Sequence, residues 1–304
     1  MIFDLKKSFN QRVELPNKFG IELYVKREDK IHRHISGNKY RKLKYNLKEA
    51  KSLGFGQLLT FGGAYSNHIA AVAAAGNELG FETLGVIRGE ELEDKIESNA
   101  TLKFAQSQGM DFHFISRGEY RNKESKAFIK NLKSRFGNFY LIPEGGTNKL
   151  AVRGCEEILR EDDKAFDYVC CAVGTGGTIS GLINASDSEQ KILGFPALKG
   201  DFLSNNITKF VTKDNWELIT DYHFGGYAKI DPELVDFINK FRADFDIPLD
   251  PVYTGKLMFG VKDMIDKGCF PPKSRILVIH TGGLQGISGM NKRLKQKQLP
   301  LIDV

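Results

Sequence analysis

The chain reads Tyr168-Val169-Cys170-Cys171-Ala172-Val173 and then, without a break, Gly174-Thr175-Gly176-Gly177-Thr178. A strand without alternation of polar and apolar residues is typical of a parallel sheet that is buried on both faces. Similar apolar runs recur at 58–61, 83–87, 112–115, 140–142, 192–195 and 276–279. Helix-like segments, such as 66–80 and 149–160, lie between many of them. This alternation predicts an α/β fold with crossover connections.

The order of these units predicts two lobes. Residues 42–149 contain four strand–helix units, which we expect to form a small domain. Residues 1–41 and 150–304 hold the remaining strands and are predicted to form a larger, ligand-binding domain. Each lobe should contain an open, mostly parallel, twisted sheet flanked by helices. Ligands of such folds bind outside the carboxyl ends of strands, so we expect the binding cleft between the lobes.

Composition excludes several classes of protein. The chain has 304 residues, of which 41% are hydrophobic and 27% charged, as in ordinary globular proteins. No apolar run approaches the roughly 18 residues that span a bilayer. Residues 1–16 are too polar for a signal peptide, so we expect a cytoplasmic protein that does not enter membranes. A net charge of +6, without clustered motifs, predicts no nucleic-acid partner.

The four cysteines do not form a metal-binding pattern. None belongs to a C-x-x-C pair, and Cys170 and Cys171 are neighbours in a strand-like run. Neighbouring side chains on a strand point to opposite faces, so these two are not placed to share a zinc ion. We expect buried free thiols and no metal.

Lys39 stands at the predicted start of a helix. Apolar residues recur at intervals of three and four from Tyr40 to Ala50, and Ser36 and Asn38 are of the types that start helices. Cationic surroundings favour a neutral amine, which can attack a carbonyl group. The simpler interpretation is a solvated basic face that continues through Arg41, Lys42, Lys44, Lys48 and Lys51.

Two glycine loops follow predicted strands. Residues 61–68 precede an alanine-rich helix, where free backbone N–H groups bind carboxylates, although Ser66 and Asn67 also suit simple helix caps. Residues 174–178 suit a phosphate. This second loop has Ile179 in place of the third glycine of a dinucleotide fingerprint, and it lacks the Walker A lysine. Glycines that only turn the chain are the simpler interpretation of this loop alone.

A placed lysine, a phosphate loop and polar loops around one cleft suit a phosphorylated aldehyde such as pyridoxal 5′-phosphate (PLP). Their combination resembles the fold-type II, tryptophan-synthase-β-like PLP enzymes. Within that group the chain is similar to the 1-aminocyclopropane-1-carboxylate (ACC) deaminase/D-cysteine desulfhydrase family, from about residue 10 to residue 290. The motifs that carry the resemblance are Lys26-Arg27-Glu28-Asp29, Gly37-Asn38-Lys39-Tyr40-Arg41-Lys42-Leu43, Gly62-Gly63-Ala64-Tyr65-Ser66-Asn67-His68, Pro143-Glu144-Gly145-Gly146-Thr147-Asn148, Gly174-Thr175-Gly176-Gly177-Thr178, Tyr253-Thr254-Gly255-Lys256 and His280-Thr281-Gly282-Gly283.

The resemblance implies PLP as cofactor, a small amino acid as substrate and a homodimer. Lys39 would be the Schiff-base lysine and, once released, the general base. Asn67 would bond the phenolic oxygen of the cofactor, and Thr281 would meet its pyridine nitrogen. The phosphate would lie on Gly174, Thr175, Gly176, Gly177 and Thr178.

The same resemblance implies how the substrate is held. Ser66 and the N–H groups near Asn67 and His68 would bind its carboxylate, and Ser66 could also take part in proton transfer. Tyr253 would face the cofactor ring and the substrate, with Tyr227 nearby, and both are expected to be catalytic.

Two positions of the chain, both occupied by threonine, differ between the ACC deaminases and the D-cysteine desulfhydrases of the family. ACC deaminases typically have Glu at the position of Thr254 and Leu at the position of Thr281, whereas two threonines resemble the desulfhydrase pattern. We therefore expect Thr254 to be a substrate-binding residue and the reaction to be β-elimination from D-cysteine, which gives pyruvate, ammonia and sulfide. ACC deamination to 2-oxobutyrate and ammonia is the alternative.

Three other functions are possible interpretations of the same residues. One is another PLP reaction, such as β-replacement or dehydration of a hydroxyamino acid, and a second is a non-catalytic PLP-binding protein. The third is a serine hydrolase at Ser66, which is disfavoured because no G-x-S-x-G elbow surrounds that residue.

Overall fold

Strands and helices alternate and form two separate sheets in the computed structural model, which describes residues 5–35, 37–200 and 202–303. Every strand-like run predicted from the sequence lies within a strand. Ser36, a predicted helix-starting residue, lies outside the described residues. The strands are β1 (Asn10–Val13), β2 (Glu22–Lys26), β3 (Gln57–Gly62), β4 (Glu82–Arg88), β5 (Met110–Ile115), β6 (Tyr140–Ile142), β7 (Tyr168–Val173), β8 (Lys191–Pro196), β9 (Trp216–Leu218) and β10 (Arg275–Ile279).

Helices connect most of these strands and cover the sheets. Several begin at a side-chain cap; Asn99, for example, accepts from two backbone N–H groups of the next helix. Across the described residues, none of the helices has the length and apolarity needed to cross a membrane. The helices are α1 (Asn38–Ser52), α2 (Asn67–Leu79), α3 (Ala100–Ser107), α4 (Arg117–Tyr120), α5 (Lys126–Phe136), α6 (Lys149–Glu156), α7 (Gly177–Ala185), α8 (Phe202–Ile207), α9 (Pro232–Phe245), α10 (Thr254–Asp266) and α11 (Ile287–Gln296).

The two sheets are open and mostly parallel. The larger has the strand order β1-β2-β10-β7-β8-β9, in which only the β1–β2 pair is antiparallel. The smaller has the order β5-β4-β3-β6 and is parallel throughout. This topology confirms the predicted fold class. On this division of the strands we propose 1–41 with 150–304, and 42–149, as the two domains.

Strand β7 lies in the middle of the larger sheet and is buried on both faces. Cys170 packs in one hydrophobic cluster with Val25 and Val278, whereas Cys171 packs in another, with Ile192 and Leu277. Cys155, Cys170 and Cys171 are buried free thiols, as predicted, whereas Cys269 is exposed, so the prediction is wrong for that residue. The continuous apolar run of β7 thus reflects two helical layers, one on each side of the sheet.

A buried ion pair holds α1 at the carboxyl end of β2. Glu28, which follows β2, accepts from Arg41 Nε and from Arg41 Nη2, each at 2.7 Å. Arg41 and Lys42 are 2% and 3% exposed, so the interpretation of a solvated basic face is wrong for these two residues. It holds for Lys48 and Lys51, which are exposed on the far side of the helix.

Candidate active site

Lys39 lies in the first turn of α1. The helix begins after Gly37, whose φ of +62° is left-handed, and a Cβ at Gly37 would overlap the backbone carbonyl of Thr281. Glycine at this position therefore lets α1 begin in contact with the loop that follows β10. The Asn38 amide donates to Thr178 Oγ1 at 2.9 Å, and Lys39 Nζ donates to Asn38 Oδ1 at 3.0 Å. These contacts hold Lys39 between the carboxyl ends of β7 and β10.

The surroundings of the Lys39 amine favour its neutral form. Burial lowers the pKa of Lys39 to about 7, and the positive charge of Lys42 acts in the same direction. Cys155 and Asp250 act in the opposite direction without reversing the shift. An ordinary lysine is almost fully protonated at neutral pH. The Lys39 amine, in contrast, can attack a carbonyl carbon or accept a proton near pH 7.

Lys42 is a second buried lysine on the same side of α1. Its Nζ donates to the carbonyl of Gly145 at 3.0 Å, to Thr147 Oγ1 at 3.0 Å and to Thr175 Oγ1 at 3.3 Å. In the described part of the chain it has no carboxylate partner, so its charge is available to an anion on the 174–178 loop. The sequence does not show the role of Lys42, although the i, i+3 spacing places it on the same side of α1 as Lys39.

The 174–178 loop presents backbone rather than side chains. Gly176 has a φ of +88° and precedes α7, which begins at Gly177. A Cβ on Gly177 would lie 2.7 Å from Thr147 Oγ1, and one on Gly174 would lie 3.2 Å from the Tyr253 ring. A side chain at Gly174 or Gly177 would therefore collide with its neighbours or occupy the space beside the loop. The free N–H groups at the start of α7 suit a phosphate.

Ser66 and Asn67 lie at the N-terminus of α2. Ser66 is the N-cap, and its Oγ accepts from the Ile69 N–H at 3.3 Å. Asn67 Oδ1 is buried and has no hydrogen-bond partner among the residues that the structure describes. A buried amide oxygen in this state is suited to a ligand, because buried polar atoms are nearly always paired.

The His68 ring lies behind this loop. Its Nε2 is 2.8 Å from Thr60 Oγ1, and the Thr60 hydroxyl donates to the carbonyl of Ile142 at 2.9 Å, so the hydroxyl accepts from Nε2–H. Burial, followed by the charges of Lys39 and Lys42, holds the pKa of His68 well below its usual value. The ring is therefore neutral, and the group that His68 can offer an anion is its backbone N–H.

Tyr253 and Tyr227 lie against each other. Their ring centroids are 6.3 Å apart and the rings are tilted by 69°. Burial raises the pKa of both phenols above the usual value, and the negative charge of Asp250 adds to the shift. Both phenols therefore keep their protons at neutral pH and can serve as hydrogen-bond or proton donors.

The Thr254 side chain forms hydrogen bonds with Asp250 and is buried away from open space. Its hydroxyl accepts from the Asp250 N–H and donates to Asp250 Oδ2, each at 2.8 Å, and the residue is 1% exposed. Asp250 Oδ1 also accepts from the N–H groups of Val252 and Tyr253. Asp250, which sequence analysis missed, thus fixes the turn that presents Tyr253. An Asp four residues before a helix start is a common turn residue and carried no distinctive signal.

One cavity of about 1070 Å³ joins these features. Gly177 and Thr254 are not among the described residues that line it. A cavity of this size accommodates a cofactor together with a small amino acid. The predicted site residues that line it are Lys39, Ser66, Asn67, His68, Gly174, Thr175, Gly176, Thr178, Tyr227, Tyr253 and Thr281.

The groups around this cavity fit PLP. The Lys39 amine suits an aldehyde, and the glycine loop with Lys42 offers N–H groups and a positive charge to a phosphate. Among the described residues, Asn67 Oδ1 has no hydrogen-bond partner. Thr281, which is 8% exposed, offers a neutral hydroxyl. The donor set therefore matches an aldehyde, a dianion and a polar ring placed side by side.

Comparison with known proteins agrees with this chemistry. Residues 11–282 match the family described as pyridoxal-phosphate dependent enzyme. A mitochondrial bifunctional D-cysteine desulfhydrase/ACC deaminase of Arabidopsis thaliana is 32% identical over 301 residues, which cover 90% of this chain and 74% of that protein. An ACC deaminase of Mesorhizobium japonicum is 29% identical, with coverage of 88% and 89%. The crystal structure of an ACC deaminase homologue superposes with a TM-score of 0.78 at 30% identity, with coverage of 92% and 90%.

Proposed function

The chain belongs to the family of pyridoxal-phosphate-dependent enzymes, in the group of ACC deaminases and D-cysteine desulfhydrases, and we propose that it eliminates the thiol group of D-cysteine. The products would be pyruvate, ammonia and sulfide. The observation that carries the proposal is the neutral hydroxyl of Thr281 in one cavity with the Lys39 amine, Ser66 and Tyr253.

The residues divide into those that would hold the cofactor and those that would act on the substrate. Lys39 would hold the aldehyde, the 174–178 loop with Lys42 the phosphate, Asn67 the phenolic oxygen and Thr281 the ring nitrogen. When bound, PLP withdraws electrons from the substrate Cα and makes the Cα–H bond acidic.

Proton transfer would then fall to this chain's own side chains. Ser66 and the N-terminus of α2 would hold the carboxylate and orient the Cα–H bond towards Lys39 Nζ. The low pKa leaves much of the Lys39 amine unprotonated near neutral pH, so it would be free to accept the proton. The Cβ–S bond breaks with its electron pair on sulfur. The protonated phenols of Tyr253 and Tyr227 line the same cavity and would donate a hydrogen bond or a proton to that sulfur.

A substrate panel tests the proposal. The holoenzyme is assayed for pyruvate from D-cysteine, L-cysteine and D-serine, and for 2-oxobutyrate from ACC. We expect the highest kcat/KM with D-cysteine. A higher value with ACC would support the alternative that the names of the Mesorhizobium and crystallised relatives favour. No turnover of any compound by the PLP-loaded protein would support a non-catalytic binding role.

Substrate preference is expected to depend on the two threonines. Replacing Thr281 by Leu together with Thr254 by Glu should raise the ratio of kcat/KM for ACC to that for D-cysteine at least about tenfold, since single contacts in a pocket discriminate on this scale. Thr281→Leu alone should carry the larger share, because Thr281 lines the cavity and Thr254 does not. Thr212→Leu, at an exposed threonine, is the control and should leave the ratio unchanged. An unchanged ratio in the double variant would contradict this assignment.

The low pKa of Lys39 predicts how cofactor uptake depends on pH. Covalent binding of PLP to the apoprotein requires the neutral amine, so its rate should rise with pH through about 7 and then level off. Stopped-flow absorbance of apoprotein mixed with PLP measures this rate, with N-acetyl-lysine as the control amine. The control should keep accelerating well into the alkaline range. The same profile for the protein would show that the Lys39 pKa is not lowered.

Homodimeric assembly, which the resemblance implies, and a cytoplasmic location stay predictions. Light scattering of the purified holoenzyme tests the first, and cell fractionation tests the second.

A further inference from the structure

Lys256 is a buried lysine to which the proposed reaction assigns no role. It lies in the first turn of α10, three residues after Tyr253, and is 2% exposed. Its Nζ donates to the carbonyls of His223 at 2.9 Å and Gly226 at 2.8 Å. A buried ammonium is unfavourable unless several acceptors compensate for the lost water. The hydrogen bonds to these two carbonyls therefore contribute substantially to stabilising the buried Lys256 ammonium.

The carbonyls belong to a loop with an unusual backbone. Phe224 and Ala228 both have a φ of +52°, and Gly225 and Gly226 between them have φ values of +86° and +117°. The left-handed conformation is unfavourable for Phe and Ala, and such residues persist where the surroundings hold them. Tyr227, the next residue after the two glycines, places its ring against Tyr253 in the cavity.

The charges around Lys256 agree with a bound ammonium. Burial lowers the pKa of Lys256 to about 8, whereas the negative charges of Asp250 and Asp231 favour the protonated form. Asp250 also fixes the backbone of Tyr253. Two buried charges thus support the two tyrosines: the Asp250 carboxylate accepts from the Tyr253 N–H, and the Lys256 ammonium donates to carbonyls of the loop that carries Tyr227.

We propose that Lys256 is a positioning residue, which holds the His223–Ala228 loop so that Tyr227 lies against Tyr253 at the substrate. The inference rests on the proposed function, in which both phenols take part. Lys256 does not line the cavity, so it acts through Tyr227 and not on the substrate itself.

Lys256→Met removes the ammonium and keeps the apolar stem of the side chain. In the holoenzyme we expect kcat to fall about 10- to 100-fold, with PLP still attached at Lys39. Hydrogen exchange of the backbone amides in 223–228 should become faster, and that of β7 and α7 should not. Lys256→Gln, which keeps two N–H donors for the two carbonyls but loses the charge, should restore part of the loss. The matched control is Lys262→Met, which should behave as wild type. Lys262 is a half-exposed lysine of the same helix and pairs with Asp266.

A double-mutant cycle separates positioning from general destabilisation. Tyr227→Phe should lower kcat by itself, and adding Lys256→Met to it should cost less than a further twofold. A full additional loss in the Tyr227→Phe background, no loss from Tyr227→Phe alone, or unchanged exchange of the loop would each overturn the proposal. If no substrate is turned over, the proposed function fails while the exchange experiment still decides whether Lys256 holds the loop.

Discussion

Replacing Lys39 by alanine is expected to reduce kcat about 10⁴-fold or more while leaving the fold intact. The variant loses both the amine that would hold the cofactor and the base that would accept the Cα proton, and a well-placed general base alone contributes up to about 10⁴. Stability should change little, because among the described residues Lys39 Nζ makes a single side-chain hydrogen bond, to the neighbouring Asn38. Steady-state assays with D-cysteine and ACC, together with thermal unfolding, measure the two effects.

Lys48→Ala is the matched control for this variant. Lys48 lies on the same helix but is exposed on the opposite side from the cavity, so kcat should stay within about twofold of wild type. An active Lys39→Ala enzyme would remove Lys39 from the mechanism. A control that lost activity equally would indicate that α1 tolerates no change.

Gly37→Ala is expected to have the second largest effect, on both stability and activity. The alanine Cβ would overlap the Thr281 carbonyl, and the backbone would keep a left-handed φ of +62°. The position of a Cβ is fixed by its own backbone, and the Thr281 carbonyl is also backbone, so neither can rotate away. The start of α1 therefore has to move away from the loop that carries Thr281. We expect a loss of about 3 kcal/mol or more in the free energy of unfolding, from overlap and strain together. Displacement of Lys39 should also lower kcat at least tenfold.

Gly54→Ala separates the two causes. Gly54 follows the C-terminal end of the same helix with a φ of +73°, but a Cβ there meets nothing within 4 Å. Its alanine variant should therefore show only the backbone strain, about 1 kcal/mol, with normal activity. Urea unfolding of both variants gives the comparison. Equal losses at the two positions would mean that contact with Thr281 does not determine where α1 begins.

Most of the fold follows from patterns within single strands. Apolar runs such as 168–173 and 276–279 mark strands buried on both faces, and each lies within a strand of the structure. The strands β1, β2 and β9 were not predicted. Residues 10–13 and 22–26 mix polar and apolar types, and the segment 216–218 is very short. All three strands lie at or near the edges of the larger sheet. Edge strands are half-solvated and have a weaker signature.

The site was predictable where its residues stand in continuous motifs. Lys39, Ser66, Asn67 and the 174–178 loop come from distant parts of the sequence, and the structure brings them to one cavity. The roles of Lys42 and Asp250 were less predictable. Lys42 depends on acceptors at Gly145, Thr147 and Thr175, which only the folded chain brings near. Asp250 bonds residues 252–254, in a common turn pattern that carries no functional signal.

Thr254 shows that the type of a residue does not by itself reveal what its side chain contacts. The resemblance to the family implied a substrate-binding role for Thr254, but its hydroxyl forms hydrogen bonds with Asp250 in both directions. Its influence on substrate choice would therefore pass through the turn that carries Tyr253. A motif gives the position of such a residue along the chain, whereas the direction of its side chain is set by tertiary contacts.

The central claim is that Lys39 is the residue that carries the cofactor. Borohydride treatment of the PLP-loaded protein, followed by peptide mass spectrometry, tests this most directly. We predict a single pyridoxyl-modified peptide, with the label on Lys39 and none on Lys42, which lies one turn away on the same helix. A label on Lys42, on Lys256 or on any other lysine, with Lys39 unmodified, would contradict the account.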